Sequence, residues 1–130
     1  MEPATHPGID RSLSGRPLTL ESGRAVVQLD TIPAMRADDQ GLVHGGFVFS
    51  AADYAAMLAV NDPHVVLGSA EVRFTAPVRV GESVVLTAEV GEAKGRKREV
   101  SVSGTVGERA VLEGTFTAFV LDRHVLEGPR

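Results

Sequence analysis

Residues 46–60 form the most apolar stretch of the chain, GFVFSAADYAAMLAV, with no proline and no glycine after the first position. Alanine, leucine and methionine favour helices, and apolar residues fall on nearly every side of a helical projection. Asn61, Asp62 and Pro63 follow, and proline cannot continue a helix. The pattern therefore predicts one long helix over residues 46–60 that is buried nearly all round. Its large side chains are expected to pack in the core in preference to lining a ligand pocket: Phe47, Phe49, Tyr54, Met57 and Leu58.

Alternation of apolar and polar residues dominates the rest of the chain, as in strands with one buried face. It predicts strands at residues 24–32, 69–77, 82–90, 99–106 and 109–121. Short glycine-containing intervals separate the last four, which favours antiparallel pairing. We predict an α+β fold in which a curved antiparallel sheet of about five strands wraps one long buried helix.

Composition sets the expected domain boundaries. Residues 1–17 hold three prolines and two glycines among polar residues, which is typical of a flexible arm. Residues 18–124 carry the predicted elements, and residues 125–130 are expected to form a C-terminal tail. A chain of 130 residues lies within the usual size of one domain.

Charge and composition exclude several classes of function. The net charge of −4 argues against a general nucleic-acid binder. The absence of cysteine excludes disulfides, thiolate nucleophiles and zinc sites built on cysteine. The chain has no apolar run of ~20 residues for a membrane span, and its start does not resemble a signal peptide. We expect a cytoplasmic protein with neither nucleic acid nor a membrane among its partners.

Asp53 is the only acidic residue between His44 and Asp62, and it lies within the predicted apolar helix. Burying a carboxylate without partners costs several kcal/mol. Buried carboxylates with perturbed pKa values cluster at functional sites. Asp53 is therefore predicted to be catalytic, and the alternative is a structural carboxylate that accepts hydrogen bonds across a dimer interface.

Gly45 and Gly46 stand at the start of the predicted helix. The first N–H groups of a helix have no intrahelical acceptor and carry partial positive charge, and glycine lets a ligand approach the backbone closely. A carbonyl oxygen bound there would be stabilised as it gained negative charge. We predict an oxyanion site at this glycine pair, with an ordinary tight turn as the alternative. His44 either lines this site or hydrogen-bonds to the loop.

The four histidines have no spacing typical of metal ligands, and no serine lies in a nucleophile motif, so we expect neither a metal nor a serine nucleophile. Lys94, Arg96, Lys97 and Arg98 form the one dense basic cluster, in a turn between two predicted strands. Because guanidinium groups match phosphate oxygens, this cluster is predicted to bind a phosphate-bearing ligand. A solvated hairpin tip is the alternative.

A single sheet packed on one helix leaves an unpaired strand edge and an incompletely covered face. Pairing two copies would cover both. The sequence therefore predicts a homodimer, or a homotetramer built as a dimer of dimers.

The motif VHGG at residues 43–46, followed by an apolar helix with Asp53 nine residues after the histidine, resembles the hotdog-fold acyl-CoA thioesterases. The most similar group is the PaaI-type branch of the phenylacetate pathway. The segments RFTAPV at residues 73–78 and VGE at residues 80–82 resemble the strand and turn that follow in that fold. The resemblance covers about residues 20–121.

The resemblance implies hydrolysis of an acyl-CoA thioester, with no cofactor besides the coenzyme A of the substrate. Asp53 would act as general base or nucleophile, and a backbone N–H of Gly45 or Gly46 would hold the thioester oxygen. The pocket would lie between two subunits, and Arg96 stands where these proteins often carry basic residues near the CoA phosphates.

One departure from the family pattern lies in the loop before the motif. Related thioesterases often have an asparagine six residues before the histidine, and this chain has Asp38 there. We expect Asp38 and Gln40 to contact substrate or the attacking water, and the effect of the extra carboxylate is left open. The acyl group, and the choice between coenzyme A and acyl-carrier protein, are also left open.

A second resemblance is to the malonyl-CoA-sensing hotdog domain of bacterial fatty-acid-synthesis repressors. It spans residues 70–119 and includes VGE at 106–108 and LEGTF at 112–116. It implies acyl-CoA binding without hydrolysis. Those domains usually lack the helix carboxylate that this chain has in Asp53. Hotdog dehydratases are less similar, since the Asp–His pair that they need is not found in the required spacing.

Overall fold

The structure is a computed structural model and describes residues 1–128. In chain order, its elements are the helix α1 (Arg11–Ser14), the strands β1 (Arg16–Glu21) and β2 (Arg24–Asp30), the long helix α2 (Gly45–Val60), and the strands β3 (Val65–Phe74), β4 (Ser83–Lys94), β5 (Lys97–Val106) and β6 (Arg109–Val120). Two short 3-10 helices lie at Pro33–Met35 and Val125–Glu127.

The predicted long helix is confirmed as α2, which begins one residue earlier than expected. Its C-cap residue Asn61 has a left-handed backbone conformation, and its N–H bonds to the carbonyl of Met57. Tyr54, Met57 and Leu58 are fully buried, as predicted for core residues. The helix is apolar on most of its circumference because it lies in the concavity of the sheet.

The predicted antiparallel sheet is confirmed, and its strands follow the order β1-β2-β4-β5-β6-β3. Helix α2 packs mainly against β2, β4 and β5. Buried side chains from these strands meet the helix, among them Leu29, Leu86 and Val100, while Phe116 of β6 contacts Phe49 of the helix with ring centroids 5.4 Å apart. One helix on one six-stranded sheet is the arrangement expected of a hotdog fold.

The expected count of about five strands was low by one, because β1 was not predicted. Pro17 lies inside β1 and was taken as part of an irregular arm. Proline is tolerated in a strand at the edge of a sheet, and β1 is an edge strand. The expected boundary between residues 17 and 18 therefore falls within a strand.

Residues 1–14 lie along α2 rather than extending away from the domain. The N–H of Ala4 donates to Oδ1 of Asn61 at 2.7 Å, and the amide of Asn61 donates to the carbonyl of Glu2 at 3.1 Å. The rings of His6 and Tyr54 have centroids 6.1 Å apart. At the other end of the chain, the expected C-terminal tail contains the 3-10 helix Val125–Glu127, and its last two residues lie outside the described part.

The second edge of the sheet is β3, which has ten residues and is largely exposed. It begins at Val65, close to the C-terminal end of α2, and ends at Phe74, close to the start of α2. None of the helices formed by the described residues is long and apolar enough to cross a membrane.

Candidate active site

The start of α2 presents free backbone N–H groups beside an apolar cavity. His44 is the N-cap residue, but its side chain makes no capping hydrogen bond, and its carbonyl accepts from the N–H of Phe47 at 3.1 Å. The N–H groups of Gly45 and Gly46 have no intrahelical acceptor at this position. They are therefore available to an oxygen atom from outside the helix, as the oxyanion prediction requires.

A side chain would meet a tight contact at Gly46 and an ordinary van der Waals contact at Gly45. A Cβ atom at Gly45 would lie 3.5 Å from the Phe74 ring, and one at Gly46 would lie 3.1 Å from the His44 ring. The His44 side chain is exposed and its ring packs edge-on against Phe47, with centroids 6.1 Å apart. The imidazole therefore lies beside the first turn of α2.

A cavity of about 350 Å³ opens next to Gly45. Most of its wall is apolar: Leu42, Val43, Val48, Phe74, Ala76, Pro77, Val78 and Val111. Phe74 is 54% exposed, which is unusual for a large apolar side chain that borders a cavity. The sequence analysis did not single out Phe74 or Val111, since each reaches this site only through the pairing of β3 with β6.

Asp53 is partly buried, and its Oδ1 has no hydrogen-bond partner among the described residues. Burial raises the pKa of the Asp53 carboxyl from its usual value of 3.8 to about 6. No hydrogen bond within the described residues satisfies Oδ1, and the structural alternative, a carboxylate that accepts hydrogen bonds across a dimer interface, involves a second copy of the chain. This carboxyl costs stability when it is ionised and stays available to another molecule.

Gly46 and Asp53 lie on the same side of α2, because seven residues correspond to nearly two full turns. With a rise of 1.5 Å per residue, the two positions are about 10 Å apart along the axis. Ser50 lies between them and is also partly exposed. This less buried side of α2 is not covered by the sheet.

The loop before α2 is held by Asp38. Its Oδ1 accepts from the N–H of Gln40 at 2.9 Å and from the N–H of Leu42 at 3.1 Å. Asp38 and Gln40 line a second cavity of about 440 Å³, which shares Leu42 and Pro77 with the apolar cavity. The structure therefore places the Asp38 carboxylate at the helix N-terminal end, with one oxygen already engaged by the backbone.

Two arginines that the sequence analysis did not single out line this second cavity, Arg79 and Arg109. Oε1 of Glu82 accepts from the N–H of Arg79 at 2.7 Å and from the guanidinium of Arg109 at 2.9 Å. The hydrogen bond from the Arg79 backbone, followed by that from Arg109, holds the pKa of the Glu82 carboxyl below its usual value. Arg79 lies between β3 and β4 and Arg109 begins β6, so only the fold shows that they are neighbours.

The predicted basic cluster lies far from Gly45 within one chain. Lys94 and Lys97 pair at the tip of the β4–β5 hairpin, and Lys97 also pairs with Phe119 near the start of β3. This tip is level with the C-terminal end of α2. Because a helix of 16 residues is about 24 Å long, the tip and Gly45 lie at opposite ends of that length. Arg98 donates to the carbonyls of Gly95 and Lys97. Arg96 forms an ion pair with Asp122.

The site residues therefore form three groups in one chain. They are the loop and glycine turn at the start of α2, the carboxyl of Asp53 two turns later, and the cluster of Lys94, Arg96, Lys97 and Arg98 at the far end, which we call the basic hairpin. In the part of the chain that the structure describes, no group of three histidine, aspartate or glutamate side chains is placed to hold a metal ion.

Comparison with known proteins gives two informative relatives. A methylthioribose-1-phosphate isomerase from Aquifex aeolicus is 53% identical over 123 residues, which cover 94% of this chain and 27% of that protein. Transcription factor FapR from Shouchella clausii is 36% identical over 103 residues, which cover 78% of this chain and 53% of that protein. The chain thus spans about a quarter of the first relative and about half of the second.

Solved structures match over nearly the whole domain. An uncharacterized protein from Pyrococcus horikoshii has a TM-score of 0.96 and 52% identity, with 98% of each chain covered. A mutant of the phenylacetic acid degradation protein PaaI from Thermus thermophilus has a TM-score of 0.78 and 28% identity, over 85% of this chain and 96% of that one. The sequence model of the thioesterase superfamily matches residues 40–113. More than half of the chain follows that model on a hotdog fold, and the chain belongs to the thioesterase superfamily.

Proposed function

We propose that the protein is an acyl-CoA thioesterase, which hydrolyses a thioester to a free acid and coenzyme A. The observation that carries this proposal is the Asp53 carboxyl, whose buried Oδ1 has no partner among the described residues and which shares a helix side with the free N–H groups at Gly46. An unpaired buried carboxyl is costly to keep, and thioester hydrolysis provides a use for it.

Two copies of the chain are needed to build the site. A carbonyl oxygen held at Gly45 or Gly46 is about 10 Å along the helix from Asp53 of the same chain. Attack needs reacting atoms about 3–3.5 Å apart. We propose that Asp53 of one subunit acts on a thioester held by the glycine turn of the other.

The edge strand β3 provides the means of pairing. It is ten residues long, largely exposed, and ends at the exposed side chain of Phe74. Antiparallel pairing of β3 with its copy about a twofold axis would satisfy both edges and align the Phe74 end of one strand with the Val65 end of the other. The two copies of α2 would then run antiparallel, as the shared site requires.

The reaction begins when the thioester carbonyl oxygen accepts a hydrogen bond from the N–H of Gly45 or Gly46. This bond strengthens as the oxygen gains negative charge in the tetrahedral intermediate. On one route Asp53 removes a proton from water as the water attacks the carbonyl carbon. On the other, the Asp53 carboxylate attacks directly, and water then cleaves the resulting anhydride. Both routes break the carbon–sulfur bond, and the thiolate of coenzyme A leaves and takes up the proton.

The remaining predicted residues have roles in substrate binding. Asp38 and Gln40 would border the entering pantetheine arm at the start of α2, with His44 beside them. The basic hairpin would face the nucleotide phosphates from the partner subunit, since it lies at the opposite end of α2 from the glycine turn of its own chain. Coenzyme A is part of the substrate, and no separate cofactor is proposed.

Release of free thiol from a panel of aryl, short-chain and medium-chain acyl-CoA esters tests the proposal. Asp53→Asn should lower turnover ~10²-fold or more, which is the scale of a lost general base. The matched control is Glu89→Gln, a carboxylate-to-amide change at an exposed position on β4, and it should hydrolyse like the unmodified chain. Near-normal hydrolysis by Asp53→Asn would disprove the assignment.

A second candidate is a sensor-like domain that binds acyl-CoA without hydrolysing it. The 36% identity to transcription factor FapR over 103 residues favours it. In that case no thiol would be released, while acyl-CoA would still raise the melting temperature. The same assay therefore separates the two functions.

A further inference from the structure

Three of the four histidines converge at the end of the molecule opposite the glycine turn. His6, His64 and His124 line one cavity of about 480 Å³, which we call the histidine pocket. They come from three separate segments: the N-terminal residues along α2, the loop between α2 and β3, and the segment after β6. Nothing in the local sequence pattern brings these positions together.

Two of the three imidazoles make a hydrogen bond through Nδ1, and each of the three leaves at least one ring nitrogen for a ligand. Nδ1 of His6 is 2.7 Å from the hydroxyl of Thr5, and the backbone at His6 has a φ of 55°. Nδ1 of His124 accepts from the N–H of Leu126 at 3.0 Å, so Nε2 of a neutral His124 carries the proton. The ring of His64 makes no hydrogen bond within residues 1–128, and its backbone N–H donates to Asp62.

Basic side chains continue from the histidine pocket toward the basic hairpin, and burial lowers the pKa of the His6 imidazole. An adjoining cavity of about 420 Å³ shares His124 with it and is also lined by Arg96 and Arg123. The nearby carboxylates are already engaged: Asp62 accepts from the N–H of His64, and Asp122 pairs with Arg96. Imidazole and guanidinium donors around an open cavity suit phosphate oxygens, which are strong acceptors.

We infer that the histidine pocket binds the phosphate groups of coenzyme A held at the partner subunit's glycine turn. This inference rests on the proposed function and on the proposed pairing of β3. Val65 begins β3 and lines the histidine pocket, whereas Phe74 ends β3 and packs next to Gly45. Antiparallel pairing of β3 brings the Val65 end of one strand beside the Phe74 end of its copy. The nucleotide part of a coenzyme A held at one glycine turn would therefore extend to the imidazoles of the other chain.

Calorimetric titration of the full chain tests the inference, with coenzyme A, pantetheine and inorganic phosphate as separate ligands. The test variant combines His64→Gln with His124→Asn, since asparagine keeps an acceptor for the Leu126 N–H. The Kd for coenzyme A should rise ~10-fold or more, the effect expected when hydrogen bonds to a charged group are lost. Pantetheine should bind equally to both proteins, and phosphate should compete with coenzyme A less strongly in the variant than in the unmodified chain.

Arg24→Gln, a change on β2 outside both cavities, is the matched control and should leave the Kd for coenzyme A unchanged. An unchanged Kd in the histidine variant, or an equal loss of pantetheine binding, would overturn the inference. Hydrolysis of acyl-pantetheine tests the proposed function separately, because this substrate lacks the phosphate groups of coenzyme A and its hydrolysis should depend on Asp53 but not on the histidines. Histidine-dependent binding without any hydrolysis would refute the thioesterase and retain the phosphate site.

Discussion

The hydroxyl oxygens of Ser14 and Ser50 lie 2.7 Å apart and join α1 to the less buried side of α2. Ser14 is buried, and Ser50 precedes Asp53 by one helical turn. The N-terminal residues are therefore anchored next to the proposed catalytic carboxyl. This contact links the stability of the segment to the site that it borders.

Ser50→Ala should lower the free energy of unfolding by ~1–3 kcal/mol, because it leaves the buried Ser14 hydroxyl without a partner. Urea unfolding monitored by circular dichroism measures this change. The double variant Ser14→Ala, Ser50→Ala should recover part of the loss, since replacing both partners removes the unsatisfied group. A double variant that is less stable by the sum of two full single losses would show that the two hydroxyls do not interact.

Asn61 combines a left-handed backbone with two side-chain hydrogen bonds to the N-terminal residues. Asn61→Gly removes the hydrogen bonds but keeps the backbone easy to form, whereas Asn61→Ala also adds backbone strain. We expect the alanine variant to be less stable than the glycine variant by ~1 kcal/mol. Thermal unfolding of both variants separates the cost of the lost hydrogen bonds from that of the backbone strain. Limited proteolysis should release residues 1–8 faster from each variant than from the unmodified chain. Equal melting temperatures would show that the backbone of Asn61 relaxes freely.

The pH dependence of stability should carry the signature of Asp53. Burial raises its pKa in the folded state to about 6, against 3.8 for an unperturbed carboxyl. The folded state therefore binds this proton more tightly, so the contribution of Asp53 to stability is most favourable below pH ~4, falls as pH rises to ~6 and then levels off. Asp53→Asn removes the penalty, so the variant should gain stability relative to the unmodified chain between pH 4 and 7.

Urea unfolding at fixed protein concentration across this pH range measures that difference. Asp30 and Glu82 have lowered pKa values and act in the opposite direction at acidic pH, but they are present in both proteins and cancel. A difference that does not vary with pH would mean that Asp53 titrates normally.

Catalytic activity should rise over the pH range in which the contribution of Asp53 to stability falls. Both proposed routes need the carboxylate form, so kcat/KM should rise with pH and level off above about 6. Steady-state hydrolysis of one acyl-CoA from pH 4.5 to 8 measures the profile. The residual activity of Asp53→Asn should lack this step, and a step that persists in the variant would assign the titration to another group.

The basic hairpin should affect binding rather than turnover. Arg96→Ala combined with Arg98→Ala should raise KM for CoA esters more than it lowers kcat, as expected when only binding is removed. Pantetheine esters serve as the control because they lack the nucleotide. If they lose as much activity as CoA esters, the hairpin does not contact phosphate.

Local patterns were sufficient to predict α2 and the presence of five of the strands, but β3 runs from Val65 to Phe74 where residues 69–77 were predicted. Helix α2 could be predicted because its alanine-rich composition and the proline that follows it are local signals. It was predicted over residues 46–60 and begins at Gly45. The unpredicted strand β1 contains Pro17, and its pairing with β2 is visible only once the sheet edge is known. The packing of residues 1–14 was missed because its anchor, Asn61, is distant in sequence.

The chemistry of the site was predicted only where it is carried by one segment. The glycine turn and Asp53 lie within ten residues of each other, so helical spacing relates them directly. Phe74, Arg79 and Arg109 reach the same end of α2 because β3 pairs with β6 rather than with β4. Local sequence patterns do not predict that strand order. They also do not predict the distance between the basic hairpin and Gly45, since this distance depends on the same order.

Ala4 and His124 line the same cavity, so segments close to the two ends of the described chain lie side by side. A short peptide could join them and convert the domain into a closed ring of chain. New ends could then be opened at Gly107, in the exposed turn between β5 and β6. Such a circular permutant would keep every strand neighbour and the whole of α2 while changing only the order in which they are synthesised.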